Sequence, residues 1–321
     1  MPETNLSLQM AKDKGYSRIQ MTWSDPDIAP LLAAVALTSE SPTELHVRCI
    51  NDFSEGSVCA LLENLAKNTK VEVLIIEVAQ HRRQAVNVLC TTLALNQGIR
   101  RLRVTTAPRE ASDCGCFSLV AKALIFNHTV AEVTMESETT CLRSVKTIAY
   151  LLSRNTSITK LAVNCNNWIT VKRFAILSRA VNKNKSILEF SLPKGIEANC
   201  VSHRILRALR RNISLHNLAI TFVTRERLDR RAAQAVEELC TSASFVTEVM
   251  NAKGQGAKEA RCTTLSTYRY IQSNYFRLTG VVCGTVVCYP SASTQLDDLN
   301  YDCWCNIVKH LKLSDVVQTQ P

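Results

Sequence analysis

Apolar residues run through most of this chain in two alternating rhythms. From Asn155, Ile158, Leu161 and Val163 lie three, six and eight residues ahead, while Val145, Ile148 and Leu152 lie ten, seven and three behind. Steps of three and four place side chains on one stripe of a helix, and the six-and-eight alternation places them on one face of a strand. The forward pattern recurs from Asn68, Asn96, Asn127, Asn184 and Asn212, at spacings of 28, 31, 28, 29 and 28 residues. Positions −7 and −3 are apolar at every one of these anchors. Each unit therefore reads as a helix, a tight turn at Asn, and a strand. Weaker copies centred on Ser39 and Ala243 extend the series to about eight units over residues 28–254. Residues 1–27 are left as an N-terminal segment or cap, 255–290 as a degenerate repeat or cap, and 291–321 as a terminal helix and tail. No unit can bury its own apolar stripe, so the units must stack, with parallel strands in one layer and helices in the other. The fold class is α/β.

The units "LLSRNTSITKLAV", "LVAKALIFNHTVAEVTM" and "ILRALRRNISLHNLAI" resemble the ribonuclease-inhibitor-type leucine-rich repeat, and the resemblance runs in register over most of the chain. It implies a solenoid shaped as a horseshoe, with parallel strands on the concave face and helices on the convex face. One departure stands out. The family adds an asparagine eleven residues after the anchor, where this chain has Asn166 but elsewhere Ala79, Ala107, Glu138, Gly195 and Val223. Proteins of this class bind other proteins, and the exposed strand positions +5, +7 and +9 carry the contacts. Here those positions include Arg101, Arg103 and Thr105, then Glu132, Thr134 and Glu136, then Lys160 and Asn164, then Glu189. They read either as a mixed-charge docking surface for a protein partner or as surface ion pairs of little consequence.

Composition narrows the function further. Hydrophobic residues make up 46% and charged residues 21% of 321 residues, as in an ordered globular protein. The first twenty residues lack the apolar core of a signal peptide, and no apolar run is long enough to span a bilayer. A cytoplasmic protein is expected, with the nucleus as a second compartment and no membrane partner. The 14 cysteines are spread through apolar segments as free thiols, and none forms the paired C-x2-C spacing of common zinc modules. Neither a metal nor a cofactor is expected. The histidines form no metal-ligand spacing, "KGQGAK" lacks the order of a phosphate loop, and no nucleophile elbow occurs, so the chain is not expected to be an enzyme. The net charge of +10 includes a basic patch from Arg204 to Arg231. It reads either as an attractor of phosphates or acidic partners or as a solvated helix face, and nucleic acid is not the expected partner.

The C-terminal "LDDLNYDCWCNIVKHLKLSDV" resembles the opening of an F-box through Leu299, Asp302, Trp304, Ile307, Leu311 and Asp315, with His310 where tyrosine is usual. The resemblance implies docking to the adaptor of a cullin–RING ubiquitin ligase through Leu299, Trp304, Ile307 and Leu311. A capping helix over the end of the array is the alternative. The expected function is thus a non-catalytic interaction scaffold, with substrate recognition for a cullin–RING ligase as its elaboration. The competing readings are a GTPase-activating regulator of the Ran type and a stand-alone ribonuclease-inhibitor-like binder.

Asn127, Asn155 and Asn212 also begin N-x-S/T sequons. Their place at helix ends explains them differently: asparagine tolerates the left-handed turn there and bonds nearby backbone. These sites are expected to carry no glycan, and a mass shift of the native protein on glycosidase treatment would overturn the intracellular assignment.

Overall fold

The computed structural model describes residues 11–13, 16–21, 43–47, 54–78, 83–106, 115–139, 141–167, 171–191, 200–280 and 301–316. They divide into two compact units, 1–210 and 211–321.

The first unit is built on one eight-stranded sheet whose strands follow chain order. They are β1 (Ala11–Asp13), β2 (Tyr16–Met21), β3 (Glu44–Val47), β4 (Val73–Val78), β5 (Arg101–Thr106), β6 (Glu132–Thr139), β7 (Lys160–Asn167) and β8 (Glu189–Phe190). β1 pairs antiparallel with β2, and every later pairing is parallel. From β3 onward the described helices alternate with strands: α1 (Glu55–Lys67), α2 (Arg83–Leu95), α3 (Gly115–Leu124), α4 (Leu142–Arg154) and α5 (Val171–Lys183). The expected helix before Ser39 lies outside the described residues.

The apolar register decides which side the helices take. Along β4 the burial alternates strictly, with Leu74, Ile76 and Val78 buried and Val73, Ile75 and Glu77 half-buried. Leu74, Leu102, Val133 and Leu161 stand side by side across the sheet, as do Ile76, Val104, Met135 and Val163. These rows join the helix stripes, such as Val145, Ile148 and Leu152, in one continuous core. The helices therefore form a second layer on one face of the sheet. Each fully buried side chain of this kind contributes about 1.5–3 kcal/mol relative to exposure.

The anchor asparagines do more than end helices. Asn68 and Asn155 have φ of −78° and −80° with extended ψ, so they are not left-handed as expected. The side chain makes the turn instead. Asn155 Oδ1 accepts the N–H groups of Ser157 and Ile158 at 2.9 Å, while Nδ2 donates to the carbonyls of Leu124 and Asn127 in the preceding unit, both at 2.8 Å. Asn96, Asn127 and Asn184 repeat this four-bond arrangement, each reaching the preceding anchor's carbonyl. The result is an asparagine ladder in the interior, with Asn96, Asn127 and Asn155 at most 3% exposed. Position +2 lies against the preceding unit. Thr129 and Ser157 donate there to the carbonyls of Asn96 and Asn127. At Gly98 any Cβ would come within 2.8 Å of the Thr69 backbone. The hydroxyl that completes each of these two sequons is thus part of the ladder.

Two expected units fold otherwise. Asn212 begins no strand. It lies inside α6 (Cys200–Val223), fully buried, with its Oδ1 accepting from the Arg211 guanidinium. The reason is in the residues that follow. Leu215, Leu218, Ala219 and Phe222 continue a three-and-four stripe, so the +3 and +6 positions satisfy a helix as well as a strand. Ala243 likewise opens a helix, α8 (Ala243–Lys253), rather than leading into a strand at Val246. A missed strand balances these: β2 pairs Ile19 with Leu45 and Met21 with Val47. Those residues lie six and eight after Asp13, which is 26 residues before Ser39, so the repeat's spacing of 28 to 31 passes over them.

The second unit is helical, with α7 (Arg230–Leu239), α8, α9 (Ala257–Ser273), α10 (Tyr275–Thr279) and α11 (Tyr301–Val308). Asp229 caps α7 by accepting from Ala232 N–H at 2.9 Å. Burial raises its carboxyl, but this bond and Arg227 outweigh it and hold it below its ordinary value. Phe222, Val236, Leu239, Phe245, Val249, Ile271, Val308 and Leu313 form the core of this unit. No described helix is long and apolar enough to cross a membrane.

Asn155→Ala strands the N–H groups of Ser157 and Ile158 and takes one donor each from the Leu124 and Asn127 carbonyls. It is expected to cost about 3 kcal/mol in urea unfolding, and Asn155→Asp, which keeps the acceptors but buries a charge, is expected to cost more. A loss below about 1 kcal/mol for both would show that the ladder does not hold the units together.

Candidate functional site

The face of the sheet opposite the helices is where sequence places the partner-binding residues, and strand register sets them in three rows. Glu44, Val73, Arg101, Glu132, Lys160 and Glu189 form the first row. His46, Ile75, Arg103, Thr134 and Ala162 form the second, and Glu77, Thr105, Glu136 and Asn164 the third. All nine expected residues are therefore on one surface of one unit. The parallel pairing holds neighbours in register, so side chains 28 to 33 positions apart in the chain meet.

Two charge clusters result. Glu136 is the centre of the first. Arg103 grips it through Nε and Nη2 at 2.8–2.9 Å, and Asn164 Nδ2 donates to it at 3.3 Å. Thr105 Oγ1 lies 3.5 Å from the same carboxylate. In the second cluster Lys160 Nζ stands 3.5 Å from both Glu132 and Glu189. The register brings Arg101 opposite Glu132, but the ion pair of Glu132 is with Lys160. Arg101 is exposed. Toward β3 the surface turns apolar, with half-buried Val73 and Ile75. His46, in the second row, is only 5% exposed, and its Nε2 lies 3.4 Å from Glu44.

The arrangement offers hydrogen-bonding and charged groups at fixed spacing, held on rigid strands. No cluster of His, Cys, Asp or Glu among the described residues is arranged to hold a metal. The described free thiols include Cys90, whose burial pushes its thiol up to about 11 and so keeps it protonated.

The expected ligase-adaptor residues fare unevenly. Leu299 lies outside the described residues. Trp304 lies in α11, and its side chain also lies outside them. Ile307 is 37% exposed, whereas Leu311 packs against the core of its own unit. The following turn is fastened there: Tyr275 donates to Lys312 O at 3.0 Å, and Arg230 donates to Leu313 O at 2.7 Å and to Val316 O. Glu237 accepts the Leu313 N–H at 3.1 Å, and burial raises its carboxyl above the ordinary value against that bond. The second unit also carries an open concavity lined by Phe222, Arg225, Leu228, Ser266 and Tyr270, which sequence motifs did not mark.

No known family profile matches the chain, and no curated protein matches it. Among solved structures the chain is similar to the actin-binding site 2 of leiomodin-1, with 15% identity and a TM-score of 0.37 over 61% of this chain and 95% of that one. It is also similar to the tropomodulin C-terminal domain of Caenorhabditis elegans, with 15% identity and a TM-score of 0.32 over 59% of this chain and 96% of that one.

The Arg103–Glu136 pair is half exposed on the arginine side, at 51%. Exposed pairs contribute about 0.2–1 kcal/mol. Glu136→Gln is therefore expected to lower stability by no more than about 1 kcal/mol in urea unfolding. A larger loss would make the cluster a prop of the fold rather than a surface open to a partner.

Proposed function

We propose that this chain is a non-catalytic protein-binding scaffold of the leucine-rich-repeat class, whose partner lies on the exposed sheet face of the first unit. The observation that carries the reading is the in-register grid of Arg101, Arg103, Glu132, Glu136, Lys160 and Glu189 on strands backed by a fully packed helix layer. Such a face is rigid, so little ordering cost falls on this side when a partner binds. Half-buried Val73 and Ile75 supply apolar contact beside the charged rows, the mix that interfaces use: an apolar centre for affinity and a polar rim for register. In this reading the array curves as a horseshoe with the sheet inside, and the concave rows follow the partner's surface. The chain would perform no chemistry of its own.

Ubiquitin-ligase recognition would require the C-terminal segment to leave its present packing, because Leu311 is committed to the core of its own unit. The scaffold reading does not depend on it.

Photo-crosslinking tests the proposal. With benzoylphenylalanine at Thr134, Ala162 or Ser191 in the full-length protein in cells, crosslinked species are expected from all three positions. They should disappear in the Arg103→Glu/Lys160→Glu double variant. Crosslinks equally strong from Lys146 on α4, or unaffected by the charge reversals, would sink the sheet-face assignment.

A further inference from the structure

The helix layer of the first unit carries a charge pattern that the sheet face does not. From α2 through α5, and on through residue 210 of α6, the helices contain 12 Lys and Arg residues and no Asp or Glu. Helix α1 shows the ordinary alternative, with Glu63 four residues before Lys67 in the usual stabilising pair. A merely solvated helix face is expected to mix signs in this way. The helices that follow do not.

The repeat aligns this charge. The residues five and one before each anchor are exposed on the outer surface, with Phe126 in the turn that follows its helix. Read from α3 to α6 they begin Lys122 and Phe126, then Tyr150 and Arg154, then Arg179 and Lys183, then Arg207. Stacked helices bring these into one band. The aromatic residues stand in it rather than beneath it: Phe126 is 72% exposed and Tyr150 is 51% exposed. The Arg154 guanidinium lies 5.7 Å from the centre of the Tyr150 ring. Residue 201 of α6 accepts from Ser178 Oγ on α5, so the start of α6 belongs to the same layer.

We propose that this outer helix band binds single-stranded nucleic acid. The cations form the electrostatic track for the phosphates, and Phe126 and Tyr150 supply platforms on which exposed bases stack. The geometry fits in scale. Three helix-to-helix steps of about 10 Å separate α3 from α6, a length that takes several nucleotides and matches site sizes of about 4–16 nucleotides. Arginine supplies Arg154, Arg179 and Arg207, and its planar fork bonds phosphate oxygens in pairs. An anionic membrane fits less well, because its binding needs a broad apolar stripe, and here Phe126 at 72% and Leu95 at 63% protrude most while Leu119, Leu142 and Leu206 are only 36%, 41% and 37% exposed.

Fluorescence anisotropy of a labelled 12-mer oligouridine with the full-length protein tests this. Saturable binding is expected, with log Kd rising linearly with log salt at a slope of about 3.5, as five neutralised phosphates require. The exposed triple variant Arg179→Glu/Lys183→Glu/Arg207→Glu should weaken binding at least about tenfold and lower that slope by about 2. Phe126→Ala and Tyr150→Ala should each weaken it about tenfold and leave the slope unchanged. Arg101→Glu/Arg103→Glu, on the sheet face, should have no effect, and circular dichroism melts confirm that each variant is folded. Absence of binding at low salt overturns the proposal. So does full affinity in the triple variant, affinity indifferent to both aromatic substitutions, or sedimentation with phosphatidylserine vesicles without oligonucleotide binding.

Discussion

The asparagine ladder is the contact on which the rest of the first unit depends. A helix that must turn at once into a strand leaves backbone N–H and C=O groups inside the protein, where each unpaired one costs about 1–3 kcal/mol. Asparagine answers both needs at once, since its oxygen accepts two bonds while its nitrogen donates two, where a hydroxyl has a single proton to donate. At Asn96, Asn127, Asn155 and Asn184 the oxygen closes the unit's own turn, and the nitrogen reaches back to the previous one. The ladder thereby sets the offset between units. Strand register follows, and with register comes every lateral pairing on the sheet face.

Because that offset is constant, positions far apart in sequence become rows. On the sheet side the rows mix charges, with Glu136 held by Arg103 and Asn164, and Lys160 set between two glutamates. On the helix side, from α3 to the start of α6, the rows are basic and aromatic. One scaffold thus presents two surfaces of different chemistry. The polarity of the sheet rows suits recognition by register and charge complementarity, whereas the acid-free helices from α2 to the start of α6 suit a polyanion. Where the ladder stops, so does this logic. Asn212 meets a continuing helical stripe instead of a strand, and the chain passes into a helical unit with its own core around Phe222, Val236 and Phe245.

Much of this was legible in the residues themselves. The +6 and +8 positions identified β3 through β8, and the −7 and −3 positions identified the described helices before them, because helix and strand periods differ enough to be separated over 28 residues. The same count gave the exposed rows, and the parallel ladder set all nine expected residues on one face. It failed where two periods coincide: Leu215 and Leu218 satisfy both. It also missed β2, which follows strand β1 rather than a helix and stands only 26 residues before the next unit. The left-handed turn expected at the anchors was wrong because a side chain that bonds forward to two N–H groups makes the turn from extended backbone.

The sequence by itself determined the repeat, the fold class and the identity of the residues on the sheet face, since each follows from periodicity within about thirty residues. Only the tertiary structure decided which carboxylate each cation meets, that Leu311 turns into its own core, and that Phe126 and Tyr150 stand exposed beside the cations of the helix layer. Those outcomes depend on the lateral offset between units and on which helices stack together, and both are settled by contacts between residues that the chain keeps far apart.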